Sequence, residues 1–223
     1  VSGPEILVVS LGSTVGLRAS DEQLVASLRR AGASVRMAVA APPRPVRTFA
    51  LTDLGWALSA RRAAARALGA ARPAAILYST TTAALLWPEP GAIRLDAGSA
   101  ANRPGRHGVW QRPLERRRLA AAPLLVPTDP GALAELSWPL DAAVVVPIAV
   151  ASSGPADSPR DIAAITYAAN PLKKGLDRVL DAWSRARREG EILVVAGVAP
   201  EHVLALLPGA PEAQGVRAVG VLA

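Results

Sequence analysis

The chain has 223 residues, just over half of them hydrophobic and only 4% aromatic, so it can bury an aliphatic core and exceeds the usual size of one domain. That composition excludes intrinsic disorder, and the lack of cysteine excludes disulfide staples and thiolate chemistry. The formal net charge of +7 is carried by residues 1–150, with 17 arginines against 10 acids, whereas residues 151–223 balance 8 basic against 8 acidic residues.

His107 and His202 stand too far apart in sequence to suggest a zinc site. The amino-terminal run has no basic start and only strand length, unlike a secretory signal, and no apolar stretch approaches the roughly 18 residues of a spanning helix. A soluble, cytoplasmic protein is the expectation.

In chain order, Glu5–Ser10 reads as a strand, followed by the loop Leu11 to Gly16. A helix then runs to Gly32, with Ser20 as its cap and Asp21 and Glu22 at its positive end. Strands follow at Ser34 to Ala40 and, weakly, Val46 to Ala50, then an Ala- and Arg-rich helix from about Asp53 to Leu68. A strand at Ala74 to Ser79 leads to a short helix capped by the Thr80–Thr82 run. Ala92 to Leu95 is the next strand, with Asp96 at its carboxyl end. A basic helix near Val109 to Ala121, a strand at Leu124 to Val126, a helix capped by Thr128 and a strand at Ala143 to Val146 complete the first unit.

Residues 151–160, rich in Ser, Pro and Gly, read as a linker. A second unit has strands at Ile162 to Tyr167, Ile192 to Ala196 and Val216 to Val221, with helices at Gly175 to Arg188 and Glu201 to Leu207. Strands apolar on both faces that alternate with helices predict an α/β fold with mainly parallel sheets. Three strands and two helices leave an open sheet edge, so the second domain is expected to be incomplete.

Three loops could carry chemistry. Gly12, Ser13, Thr14 and Gly16 lie between the first strand and first helix, where open α/β sheets bind ligands. Their spacing is not a dinucleotide fingerprint, and Ala40, Ala41 and Pro42 supply no ribose-gripping carboxylate after the second strand, which disfavours an NAD enzyme. These glycines either serve the turn or help hold phosphate or sugar hydroxyls. Asp96 can accept a proton or hold a hydroxyl, or equally cap its own loop.

The third loop holds the only two lysines of the chain, Lys173 and Lys174, just before Gly175 and a predicted helix start. Helix-opening N–H groups and an ammonium together suit a phosphate, although two loop lysines are also commonly just solvated. A basic stretch from Arg103 to Arg118 could meet a phosphorylated substrate or an anionic membrane, or simply be a solvated helix face. Nucleic acid ranks last, since no binding motif accompanies the charge.

The segment Lys174-Gly-Leu-Asp177, preceded by a strand and followed by a strand ending Val194-Val-Ala-Gly197, resembles the carboxyl-terminal domain of GT-B glycosyltransferases of the retaining, family-4-like kind. The similarity spans nearly the whole chain and is sharp over residues 162–197. It implies two Rossmann-like domains, an acceptor-binding one over residues 1–150 and a donor-binding one over residues 161–223. A nucleotide-sugar donor would meet an acceptor (glycan, lipid or small molecule) in the cleft between them, with no cofactor or metal required. By the same resemblance Lys174 neutralises the leaving diphosphate, and Asp96 with the Gly12–Gly16 loop orients acceptor and sugar. Lys173, Lys174, Gly197 and Asn170 line the donor site, Asn170 standing where the family has an arginine. The family's ribose-binding glutamate pair falls beyond Ala223. The rival expectation is a non-catalytic module of the same architecture.

Overall fold

The computed structural model describes residues 5–98, 100, 105–134, 143–148, 162–207 and 209–221. The chain divides into two compact units, Val1–Ala151 and Ser152–Ala223. The expected linker at 151–160 lies outside the described residues.

In the first unit, β1 (Glu5–Ser10), β2 (Ser34–Val39), β3 (Ala75–Tyr78), β4 (Ala92–Leu95) and β5 (Leu125–Pro127) form one sheet in the order β2-β1-β3-β4-β5, every pair parallel. Successive side chains alternate across it. Leu7, Val9, Ile76, Tyr78, Ile93 and Leu95 pack on one face with Ala60, Ala63 and Ala64 of α2 (Phe49–Ala70). Val8, Leu77 and Val126 pack on the other with Val25 of α1 (Val15–Arg30). The buried alanines of α2 recur three and four residues apart, so a narrow apolar stripe meets the sheet while Arg61, Arg62 and Arg66 stay exposed. A short α3 (Thr81–Ala84), a 3-10 turn at Gly105–Gly108, α4 (Gln111–Ala121) and α5 (Pro130–Ala134) complete the unit. Thr80 caps α3, as the sequence suggested: its hydroxyl accepts from the Ala83 N–H at 3.1 Å.

Several local expectations give way to stronger caps. Helix α1 starts at Val15, not after Ser20, because the Thr14 hydroxyl accepts from the Leu17 N–H at 3.2 Å. The Val46–Ala50 stretch is no strand: it follows three prolines, and Thr48 caps α2 by accepting from the Leu51 N–H at 3.3 Å. Asp129, not Thr128, accepts at the start of α5, from the Ala132 N–H at 3.1 Å. Ala143 to Val146 runs along β5 through single bonds, Val144 N–H to Leu125 O and Val146 N–H to Pro127 O, both 2.9 Å, with only one bridge in place of a full strand.

In the second unit, β6 (Ala164–Tyr167), β7 (Leu193–Ala196) and β8 (Val216–Gly220) form a separate parallel sheet in that order. Helix α7 (Leu176–Ala186) buries Leu176 and Leu180, with Val179 and Trp183 beside them, against Leu193, Val195 and Val216. Each of the two buried leucines contributes about 1.5–3 kcal/mol. The predicted helix from Gly175 is α7, but the stretch before it, expected as a loop, holds a further helical turn. Pro171–Lys174 forms a helical turn, α6, and Gly175 in the left-handed region (φ 64°, ψ 41°) redirects the chain into α7. A short α8 (Pro200–Leu204) and a 3-10 turn at Glu212–Gln214 precede β8. No helix among the described residues is long and apolar enough to cross a membrane.

Candidate functional site

The strand order sets where a ligand would sit in the first unit. From β1 the chain steps outward to β2 and then returns to β3, so the order reverses between β1 and β3. The crevice beyond the carboxyl ends of those two strands is where open α/β sheets take ligands. The loops after β1 and β3 are joined there, the Leu11 N–H donating to Ser79 Oγ at 3.3 Å.

Gly12 is buried at φ +58°, a conformation that suits glycine, and its carbonyl accepts from Arg18 Nη1 at 2.9 Å. Ser13 is half-buried and Thr14 exposed. Gly16 is not a loop residue: the Thr14 cap draws it into the first turn of α1, where it is exposed. Asp96 follows β4 directly and is exposed.

Beneath these loops lies a buried polar cluster that the sequence did not announce. Ser10 Oγ donates to Asp21 Oδ2 at 2.5 Å, and Arg94 Nη2 donates to Ser20 Oγ at 2.8 Å. Arg94 Nη1 forms an ion pair with Asp21 Oδ1 at 3.5 Å. The cluster ties α1 to the carboxyl ends of β1 and β4. Burial pushes the Arg94 guanidinium below its ordinary pKa, opposed by the charges of Asp21 and then Asp96. Asp96 is thus felt by the cluster. A usable signal was present: Arg94 interrupts a four-residue strand that had to be buried, and such a cation needs a buried partner.

In the second unit, the carboxyl ends of β6 and β7 collect the donor-site candidates. Asn170 and Lys174 are exposed, and the Lys174 N–H donates to Asn170 O at 2.9 Å. Lys174 ends α6 and lies one residue before Gly175, at the amino end of α7. Among the described residues its ammonium makes no hydrogen bond or ion pair within the protein. The side chain of Lys173 lies outside the described part. Gly197 follows β7 at φ +85°, and its N–H donates to Gly220 O at 2.7 Å. The two lysines therefore do not stand in a simple loop before a helix; they belong to a helical turn, and only Gly175 separates it from α7. Among the described residues no three His, Asp or Glu side chains gather as a metal site.

Two Rossmann-like units with parallel sheets define the GT-B fold. The solved structures it resembles include a spinosyn rhamnosyltransferase, SpnG, at 18% identity and a TM-score of 0.53, covering 97% of this chain and 70% of that one. They also include a UDP-N-acetylglucosamine 2-epimerase at 12% identity and a TM-score of 0.56, and a Listeria monocytogenes protein designated as the same epimerase at 12% and 0.57. Each epimerase likeness covers 99% of this chain and 70% of the other. The chain thus spans about 70% of the length of each of these neighbours. No protein-family model matches the chain, and no curated protein matches its sequence.

Proposed function

We propose that the chain is the core of a glycosyltransferase that uses a nucleotide-sugar donor, with its first unit binding the acceptor and its second the donor. The observation that carries this is the junction at Gly175, where a left-handed residue presents Lys174 at the amino end of an eleven-residue helix beyond the carboxyl ends of β6 and β7. A helix amino terminus and an adjacent ammonium attract a diphosphate, and they stabilise it further as negative charge grows on the departing group. Asn170 lies beside this turn and offers a neutral amide where the resembled family has an arginine, so Lys174 bears the larger share of the clamp. In the first unit, Asp96 and the Gly12–Thr14 loop orient acceptor and sugar. Retention of stereochemistry and the family-4-like assignment belong to this reading through the Lys-Gly-Leu-Asp resemblance.

The test is a calorimetric titration with uridine diphosphate. Lys174→Ala raises the dissociation constant about tenfold or more if the ion contact is worth at least about 1.4 kcal/mol; unchanged affinity overturns the reading. A second reading is favoured by the two epimerase likenesses, whose TM-scores exceed that of the rhamnosyltransferase: the same diphosphate grip serving epimerisation of a sugar nucleotide. Incubation with UDP-N-acetylglucosamine alone separates the two, because an epimer appears without acceptor only in the second. Nucleotide binding with neither reaction would mark a non-catalytic module.

A further inference from the structure

The connection from β2 to α2 exposes what a chain of this composition should hide. The only phenylalanine of the protein, Phe49, is 64% exposed, and Leu51 and Val46 beside it are 53% and 45% exposed. Arg44 and Arg47 alternate with them and are also exposed. This connection leaves the carboxyl edge of the sheet, as does the one after β4, where Val109 is 70% exposed near exposed Arg106. The helix that Phe49 opens also contacts the 3-10 turn Gly105–Gly108. Single exposed apolar side chains need no explanation, but Val46, Phe49 and Leu51 so close together, interleaved with Arg44 and Arg47, do.

We propose that this rim of the first unit docks on a lipid bilayer that contains anionic headgroups. Phe49, Leu51, Val46 and Val109 enter the headgroup boundary, and Arg44, Arg47 and Arg106 contact the phosphates. Charge complementarity selects that occupant: the first unit carries the whole net positive charge of the protein, and an anionic leaflet attracts arginines held near its surface. The apolar side chains supply the insertion that charge alone does not. Two arginines farther along, Arg112 and Arg118 of α4, are less available. Arg118 Nε donates to Leu85 O at 2.8 Å while its guanidinium lies 5.0 Å from the Trp87 ring, and Arg112 donates to Gly105 O.

The test is co-sedimentation of the full chain with vesicles of phosphatidylcholine alone or mixed with phosphatidylglycerol, at low and high salt, independent of any nucleotide. Binding to the mixed vesicles and not to the neutral ones is expected. A Phe49→Ser/Leu51→Ser pair should weaken it about tenfold or more, and an Arg44→Glu/Arg47→Glu pair by a similar factor at low salt. All four positions are exposed, and thermal melts of the variants confirm that they fold. No binding to the anionic vesicles, equal binding to neutral ones, or binding that survives the serine pair unchanged overturns the proposal. Because vesicle sedimentation does not involve Lys174, its failure leaves the donor reading untouched, and the converse holds.

Discussion

The guanidinium of Arg94 lies 3.5 Å from the carboxylate of Asp21, with both side chains almost wholly buried beneath the loops at the ligand edge of the first sheet. A buried pair of this kind contributes little net stability compared with apolar packing, yet removing one member strands the other charge. Asp21→Asn should therefore cost about 3–5 kcal/mol, read as a lowered urea midpoint at unchanged slope. Replacing both residues, Asp21→Leu with Arg94→Met, should cost clearly less than the sum of the single changes. A single change that leaves the midpoint in place would show that the pair does not fasten α1 to β4.

Tyr78 predicts an alkaline limit. Its ring is buried 5.7 Å from that of Trp87, its hydroxyl donates to Glu89 O at 2.7 Å, and burial pushes its pKa well above the ordinary phenol value. The unfolded chain thus gives up this proton first, near pH 10, while the folded chain keeps it. The stability from this group is complete below about pH 10 and falls above it, by up to about 1.4 kcal/mol per pH unit. Urea unfolding between pH 8 and 11 should show that slope, and Tyr78→Phe should flatten it.

Thr14 separates a capping role from a substrate role. As the N-cap of α1 it is worth about 0.5–2 kcal/mol, so Thr14→Ala should lower the unfolding midpoint and Thr14→Ser should restore it. If Thr14→Ala weakens acceptor use beyond what Thr14→Ser recovers, the methyl group contacts substrate as well.

These residues also show what a local reading of the chain can reach. The bounds of β1 and β4 were legible because each is a short, mostly apolar run between turn residues, and the separate second sheet followed from the break in charge and composition. The start of α1 was not, because Ser20 followed by two acids imitates a cap more plainly than Thr14 does. The Ser10, Ser20, Asp21 and Arg94 cluster was hidden for another reason: its members meet only when β4 is laid beside β1 and α1, a pairing that no window along the sequence contains. At the candidate donor site, the lysines and Gly175 were visible as residue types. The helical turn they belong to was not, since Asn-Pro reads as a loop although proline also suits the first turn of a helix.

Gly197 and Tyr167 allow space and backbone strain to be separated at the edge where the donor is proposed to sit. A Cβ on Gly197 would lie 2.4 Å from Tyr167 Cε2, and Gly197 itself sits at φ +85°. Tyr167 is 59% exposed, so its ring can swing outward, whereas the backbone cannot change without breaking the 2.7 Å bond to Gly220 O. Gly197→Ala should therefore cost about 1–2 kcal/mol from left-handed strain alone. Adding Tyr167→Ala should recover only the contact part. If Gly197 lies under the nucleotide, the alanine also weakens uridine diphosphate binding, and the Tyr167→Ala addition does not restore it, because the methyl group still occupies the space the ligand needs. Full recovery of affinity in the double variant would show that Gly197 serves only to accommodate the Tyr167 ring.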